Sequence, residues 1–532
     1  MRKPGAVTKF VEKREMLINT YGAKCIGIDA VKVTVETDIC NGIGIHLVGL
    51  ADMAVKESLL RTVTALQSLG YRIPGRKIVI NLAPADLHKQ GSGYDLPIAL
   101  GIIAASEQAD MPLAGDFIVM GELGLDGSVR DISGALSIAQ LAEDSRLRGC
   151  ILPVSSALEA VEMTGTGIYG VRTIEEAINV LSGSPDSERY LIWNREEYLG
   201  MDGDRDASPA HLEYMDFSEI IGQESAKRGA EIAAAGGHNL ALVGPPGAGK
   251  SSLAKALAGI LPPMTRKEAL VTSKIYSVAG KGSLRNGLIR CRPVRSPHCS
   301  ASMAAMVGGG AGDNILPGEV SLAQGGILFL DEFGQISRPV IEALRGPLED
   351  RKVVISRLKG KIEYPASFML VVASNPCPCG YWGEGDRCTC TPAQRMSYLS
   401  KLSGPILDRI DLQLWLHPVE TARMVHSGGA EDSASVRARV TAARRIQLER
   451  FSGETISTNA EMTNRMIERY CPLSADCRET MSRITDRLGL SMRSFYRVIR
   501  VARTIADLDG DRDIRPEHLM EAAGYRFLDK IT

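Results

Sequence analysis

Short apolar runs alternate with longer amphipathic stretches over much of this chain. Val31 to Val35, Lys77 to Ile80 and Phe117 to Met120 have the length and β-branched content of strands. Ala54 to Leu69 and Ile132 to Arg146 carry the wider spacing of helices. Through about residue 180 this pattern predicts an α+β or α/β domain. From Ser182 to about Tyr214 the periodicity stops. Ser182-Gly183-Ser184-Pro185-Asp186 and the stretch from Asp202 to Pro209 predict a linker. A second domain opens at Asp216-Phe217-Ser218-Glu219, and from about Thr421 the pattern is helical and rich in arginine. The boundaries so drawn are 1–181, 182–214, 215–420 and 421–532.

Gly244-Pro245-Pro246-Gly247-Ala248-Gly249-Lys250-Ser251 fits the phosphate-loop pattern G-x-x-x-x-G-K-[ST] without a gap. Its context agrees with it. Leu240 to Val243 reads as a strand entering the loop, and Ser252 to Leu257 as the helix leaving it. Inward-turned backbone amides and the helix N-terminus together favour a phosphate. Lys250 is expected to reach the outer phosphates, and the Ser251 hydroxyl to ligate Mg2+. A second strand-like run, Gly326 to Leu330, ends in Asp331-Glu332. An acidic pair at the tip of a buried strand is costly unless it meets a cation. Asp331 is expected to hold Mg2+ through its water shell, and Glu332 to orient and polarise the attacking water.

Composition narrows the setting. A chain of 532 residues implies two to four domains, and 44% apolar content can fill sizeable cores. Lys and Arg number 62 against 63 Asp and Glu, so a polyanion partner must be met by a local patch. The longest apolar stretch, Leu96 to Ala105, is far short of the roughly 20 residues that span a bilayer. Met1-Arg2-Lys3-Pro4-Gly5 leads into charged residues with no signal-peptide core, and no membrane association is expected. Eleven cysteines, mostly scattered and odd in number, argue for a reducing cytoplasm.

Two basic stretches stand out against that neutral balance. Thr272 to Gly312 holds no Asp or Glu, yet it carries Lys274, Lys281, Arg285, Arg290, Arg292 and Arg295. Arg351, Lys352, Arg357, Lys359 and Lys361 follow, where Val353 to Ser356 and Ile362 to Tyr364 read as hairpin strands. Lys281, Arg290, Arg292, Arg295, Lys359 and Lys361 are candidate contacts to a DNA backbone. A solvated basic face or subunit contacts within a ring is the alternative. Cys377, Cys379, Cys388 and Cys390 form C-x-C-x8-C-x-C inside an insertion at 377–390. Four thiolates can complete a tetrahedral zinc site, and reduced structural thiols are the alternative.

From Asp216 to about Phe527 the chain resembles AAA+ ATPases of the magnesium-chelatase-like clade. The resemblance rests on Gly222-Gln223-Glu224, the phosphate loop, Pro317-Gly318-Glu319 and Leu330-Asp331-Glu332. It continues through Leu344 to Asp350, Ala373-Ser374-Asn375-Pro376 and Gly404 to Asp411. With its N-terminal part and Ala502 to Leu508, nearly the whole chain is similar to the YifB/ComM subgroup. The likeness implies ATP and Mg2+ as cofactors, and a P-loop AAA+ α/β domain with a parallel sheet and a C-terminal helical lid. It makes Asn375 the γ-phosphate sensor and Arg409 an arginine finger acting on a neighbour's nucleotide. It makes Arg493 a lid arginine reaching nucleotide in the same or an adjacent subunit. A finger acting in trans implies a ring, taken as a hexamer.

The N-terminal part, 1–181, resembles the α+β Lon-protease-like domain through Gly121 to Gly127, Val129 and Lys89 to Gly93. Laid on that pattern, the nucleophile position falls on Gly93 and the lysine position on Leu136. Proteolysis is therefore not expected. Three functions compete: a helicase or branch-migration motor for recombination during natural transformation, an AAA+ protease, and a chelatase-type motor remodelling a protein or tetrapyrrole partner. The acid-free basic segment favours the first.

Overall fold

The computed structural model describes residues 17–50, 52–89, 91–163, 165–192, 215–281, 287–310, 315–357, 360–399, 406–418 and 431–527. They divide into two compact units, Met1–Ser208 with Tyr276–Leu288 and Pro209–Ile275 with Ile289–Thr532. No helix among the described residues is long and apolar enough to cross a membrane.

The first unit is built on a seven-stranded sheet. Its strands are β1 (Ile18–Ile26), β2 (Asp29–Cys40), β3 (Ile45–Val48), β4 (Lys77–Ala83), β5 (Phe117–Val119), β6 (Gly149–Pro153) and β7 (Gly167–Val171). They lie in the order β3-β4-β2-β1-β5-β6-β7. The β1–β2 and β2–β4 pairs are antiparallel, and the others are parallel. Period-two alternation sets which face is buried: Val33 and Val35 of β2, and Ile78, Ile80 and Leu82 of β4, lie in the core. The helices are α1 (Met53–Ser68), α2 (Asp95–Ala105), α3 (Ala135–Asp144), α4 (Val154–Ala160) and α5 (Ile174–Leu181).

The apolar stretch Leu96 to Ala105 is α2, buried from Asp95 through Ala104. Asp95 enters the core with its charge matched, taking hydrogen bonds from the Ser58 hydroxyl, the Leu123 amide at 3.1 Å and Arg61 Nε at 2.6 Å. The polar stretch after Leu181 is ordered further than its composition suggests. Pro185–Tyr190 forms a 3-10 helix, Tyr190 is buried, and Leu191 bridges to Tyr169. The rest of the expected linker, 193–214, lies outside the described residues.

Glu159 on α4 supplies a pH-sensitive element of this unit. Burial pushes its carboxyl up to about 7, against the hydrogen bond it accepts at 2.8 Å from the Ser277 hydroxyl. A carboxyl raised above its ordinary 4.5 favours the fold below that value, and the contribution is lost as pH rises through about 7. Glu159→Gln keeps the acceptor and removes the titration. It should raise Tm near pH 8, by the equivalent of about 1–3 kcal/mol, and change little near pH 5. Equal shifts at both pH values would contradict this assignment.

The second unit holds a five-stranded parallel sheet. Its strands are β8 (Leu240–Val243), β9 (Val294–Arg295), β10 (Ile327–Leu330), β13 (Met369–Ser374) and β14 (Leu412–Trp415), in the order β9-β10-β13-β8-β14. The hairpin β11 (Lys352–Arg357) and β12 (Gly360–Pro365) stands between β10 and β13 in sequence. Strands β8, β10 and β13 are buried at every residue, which explains why they read as continuous apolar runs rather than alternating ones. Their side chains feed two cores. Leu240, Leu242, Phe329 and Val371 join one, while Ala241, Val243, Leu330 and Val372 join the other.

The first of these cores also takes in α6 (Glu224–Gly236), α7 (Lys250–Ile260) and the helical C-terminal part. That part contains α8 (Ser433–Arg450), α9 (Ala475–Leu488), α10 (Met492–Leu508) and α11 (Pro516–Gly524). Val440, Val501, Ile505 and Leu519 anchor it. The observed architecture is therefore an α/β domain with a parallel sheet and a C-terminal helical lid.

Candidate nucleotide-binding site

Parallel pairing brings three carboxyl-terminal strand ends together. β8 runs into Gly244, β10 into Asp331 and β13 into Asn375, and the Gly244 amide donates to the Ser374 carbonyl at 3.3 Å. This edge is where open α/β sheets bind ligands. Gly244 to Ser251 and then Ser252 form the loop and first turn of α7. Gly249 caps that helix at φ +88°, a left-handed conformation that glycine takes without a Cβ penalty.

Lys250 Nζ donates to the carbonyls of Gly244 at 2.7 Å and Pro245 at 2.9 Å, and to Asn375 Oδ1 at 3.0 Å. Burial lowers its pKa, with the Asp331 charge opposing. Ser251 Oγ donates to Asp331 Oδ2 at 2.8 Å, so the hydroxyl and the carboxylate meet as one oxygen donor set. Asp331 Oδ1 in turn accepts from the Glu332 amide at 2.8 Å. Glu332 is exposed and sits at φ 48°, ψ 43°, a conformation that costs a non-glycine residue of order 1 kcal/mol. Strain retained at one acidic residue of a ligand-binding edge marks a held position. Gln223, which the sequence places in a motif but gives no role, also belongs here. It is left-handed at φ 62°, and its amide donates to the Ala248 carbonyl of the loop at 3.3 Å.

Arg409 lies elsewhere in this unit. It ends a 3-10 turn, Leu407–Arg409, before β14, is 4% exposed, and pairs with Glu349. Burial lowers its pKa, with the Glu349 charge opposing and Arg345, Arg493 and Arg497 adding repulsion. Asn239 Nδ2 holds the turn through the Arg409 carbonyl at 2.8 Å, and Arg526 holds it through the Ile410 carbonyl at 2.6 Å. Arg493 reaches Asp408 at 3.6 Å, so it stands next to Arg409 rather than beside Lys250. Both line a cavity of about 1000 Å³ with Arg351, Arg497, Arg500 and Glu349, and the phosphate-loop residues are not part of its lining.

The basic candidates separate. Arg292 donates to Glu268 Oε1 at 3.1 Å and to the Pro262 carbonyl at 2.6 Å, with only 10% of its side chain exposed. Arg295 grips Glu319 with two hydrogen bonds, at 2.6 and 2.9 Å. Both guanidinium groups are engaged by carboxylates of this chain. Lys281 and Arg290 are exposed. So is Lys361 on β12, whereas Lys352 pairs with Glu363 at 2.9 Å. Lys359 lies outside the described residues.

The sulfurs of Cys377, Cys379, Cys388 and Cys390 all lie within 4.8 Å of one another, a grouping that could hold a metal ion. Burial pushes the Cys377 thiol up to about 12, while the Tyr381 amide leads the influences that draw Cys379 down to about 6.

In the first unit the Lon-type dyad positions carry other chemistry. A Cβ added at Gly93 would lie 2.9 Å from the Met120 methyl, and Leu136 is fully buried. The Ser92 hydroxyl donates to Glu122, and the Lys89 ammonium to the Pro84 carbonyl.

Comparison with known proteins agrees with this geometry. The family model for magnesium chelatase subunit ChlI matches residues 216–424, a second ChlI model matches 35–156, and the ChlI C-terminal model matches 430–526. The YifB protein of Salmonella typhimurium is 41% identical, covering 97% of this chain and 97% of that protein. The competence protein ComM of Haemophilus influenzae is 39% identical, covering 96% of this chain and 97% of its own length. An archaeal Lon protease from Methanocaldococcus jannaschii is 26% identical over 141 residues, 26% of this chain and 21% of that protein. With near full-length identity of this order on top of the phosphate-loop geometry, the chain belongs to the YifB/ComM family of magnesium-chelatase-like AAA+ ATPases, with a Lon-protease-like N-terminal domain.

Proposed function

We propose that this protein forms a cytoplasmic hexameric ring that hydrolyses ATP to move along DNA. In this reading it is a helicase or branch-migration motor that promotes recombination during natural transformation. Lys250 neutralises the outer phosphates, and Asn375, already 3.0 Å from its ammonium, orients the γ-phosphate or the attacking water. Glu332 polarises that water. The Ser251 and Asp331 oxygens suit a hard cation, so Mg2+ fits there and would spread the charge of the β- and γ-phosphates. A structural Zn2+ at Cys377, Cys379, Cys388 and Cys390 completes the cofactor set. Arg409 and Arg493, side by side and apart from the loop, act on the nucleotide of the next subunit.

The observation that carries the DNA reading is the basic hairpin β11–β12, which stands in the chain between the strand ending at Asp331 and the strand ending at Asn375. A hairpin so placed couples phosphate-state changes to whatever it touches. Kinship with a protein named for competence supports the same setting. One observation favours the runner-up, a remodelling ATPase acting on a protein partner: Arg292 and Arg295 are neutralised internally, which thins the cationic patch.

Lys359→Ala with Lys361→Ala tests the choice. Phosphate contacts carry no base information, so affinity should fall alike across sequences. The slope of log affinity against log salt should flatten by roughly 0.7–0.9 for each phosphate no longer neutralised. Basal ATPase should persist. Unchanged affinity and slope would favour the remodelling motor.

A further inference from the structure

The four cysteines stand immediately after the sensor residue, and their geometry suits a metal. Sγ–Sγ separations are 3.3 Å for Cys377–Cys379, 3.8 Å for Cys377–Cys388 and 3.7 Å for Cys379–Cys388. Zinc–thiolate bonds of about 2.3 Å in a tetrahedron set the sulfurs about 3.8 Å apart. The loop between the paired cysteines is pressed onto the nucleotide edge. A Cβ built on Gly380, at φ +86°, would lie 2.9 Å from Pro246 of the phosphate loop and 3.9 Å from Asn375. Only glycine lets the backbone come that close. Two tryptophans fasten the same loop: Trp382 meets Trp415 edge to face with ring centres 5.8 Å apart, and a Cβ on Gly383 would touch Trp415 at 3.1 Å. Trp415 pairs with Val243, the last residue before the phosphate loop.

We infer that the four cysteines hold a soft divalent cation, Zn2+ or its equivalent, and that this knot positions Asn375 and Pro246 against the nucleotide. The second half rests on the reading of Asn375 as a γ-phosphate sensor; the first does not. Without the cation the cysteine end of the loop loses its cross-link, and the Trp382–Trp415 contact alone holds the loop less firmly against Pro246 and Asn375. The knot is a positioning element, since it touches no reacting atom.

The test uses the full chain purified under reducing conditions. One zinc per chain is expected by elemental analysis, and Co2+ exchanged into the site should give the thiolate charge-transfer absorption of a tetrahedral centre. Cys390→Ser should lose the metal and drop kcat for ATP at least tenfold, with KM raised. Cys390→His, which restores a ligand, should recover both. Should Cys390→Ser fail to fold, the wild type is stripped with a zinc chelator and assayed after Mg2+ is restored. A wild type with no stoichiometric metal overturns the site. A zinc-free protein that folds and turns over ATP at the wild-type rate overturns the positioning role. Absence of ATPase in the zinc-loaded wild type would instead overturn the nucleotide reading and leave the metal count standing.

Discussion

Glu332→Gln should bind ATP with near wild-type affinity and turn it over about 10²–10⁴-fold more slowly, the range lost with a positioned general base. The substitution keeps size and the left-handed backbone at φ 48° while removing the charge that polarises water. Asp331 still accepts from the residue 332 amide, so the Ser251–Asp331 pair and the Mg2+ donor set survive. Binding and hydrolysis therefore come apart. Equilibrium nucleotide binding paired with single-turnover hydrolysis reads the split. Wild-type hydrolysis by this variant would remove Glu332 from the site.

Arg409→Ala should retain nucleotide binding, because Lys250, Ser251 and Asn375 are untouched, and lose hydrolysis by about 10³–10⁵-fold. Arg409 lines a cavity apart from the phosphate loop, so under the proposed ring the loss would be an inter-subunit effect. Lys250→Ala subunits have a crippled pocket and an intact finger. Mixed one to one with Arg409→Ala, they would place an intact finger against an intact pocket at about a quarter of ring interfaces. Partial recovery of ATPase is expected in the mixture. Mixed rings that assemble without recovery would place finger and pocket in the same chain. Truncating Arg409 also leaves Glu349 without this partner, so a thermal melt of each variant separates misfolding from catalysis.

Much of the nucleotide edge was legible because its signals are contiguous. The phosphate loop, the acidic pair and Asn375 each follow a buried strand of four to six residues, and parallel pairing alone aligns their ends. Long-range pairings were not legible. Thr272 to Gly312 is free of acid along the chain, yet Glu268 and Glu319, just outside that window, fold back onto Arg292 and Arg295. The place of Arg493 depends on how the lid docks, and the Asp408 ion pair and the shared cavity set it with Arg409. The sequence assigns Gly380 no contact with the phosphate loop. In the structure it is a close approach between two parts of one site. Apolar α2 carried no period because every side of it is buried.

The proposed coupling of ATP hydrolysis to movement on DNA is tested most directly by steady-state ATPase of the wild type without DNA, with single-stranded DNA and with a four-way junction, at one fixed ionic strength. Several-fold stimulation by DNA, reduced in the Lys359→Ala, Lys361→Ala variant at unchanged basal rate, is the expected result. An identical rate under all three conditions, with no detectable DNA binding at low salt, would contradict it.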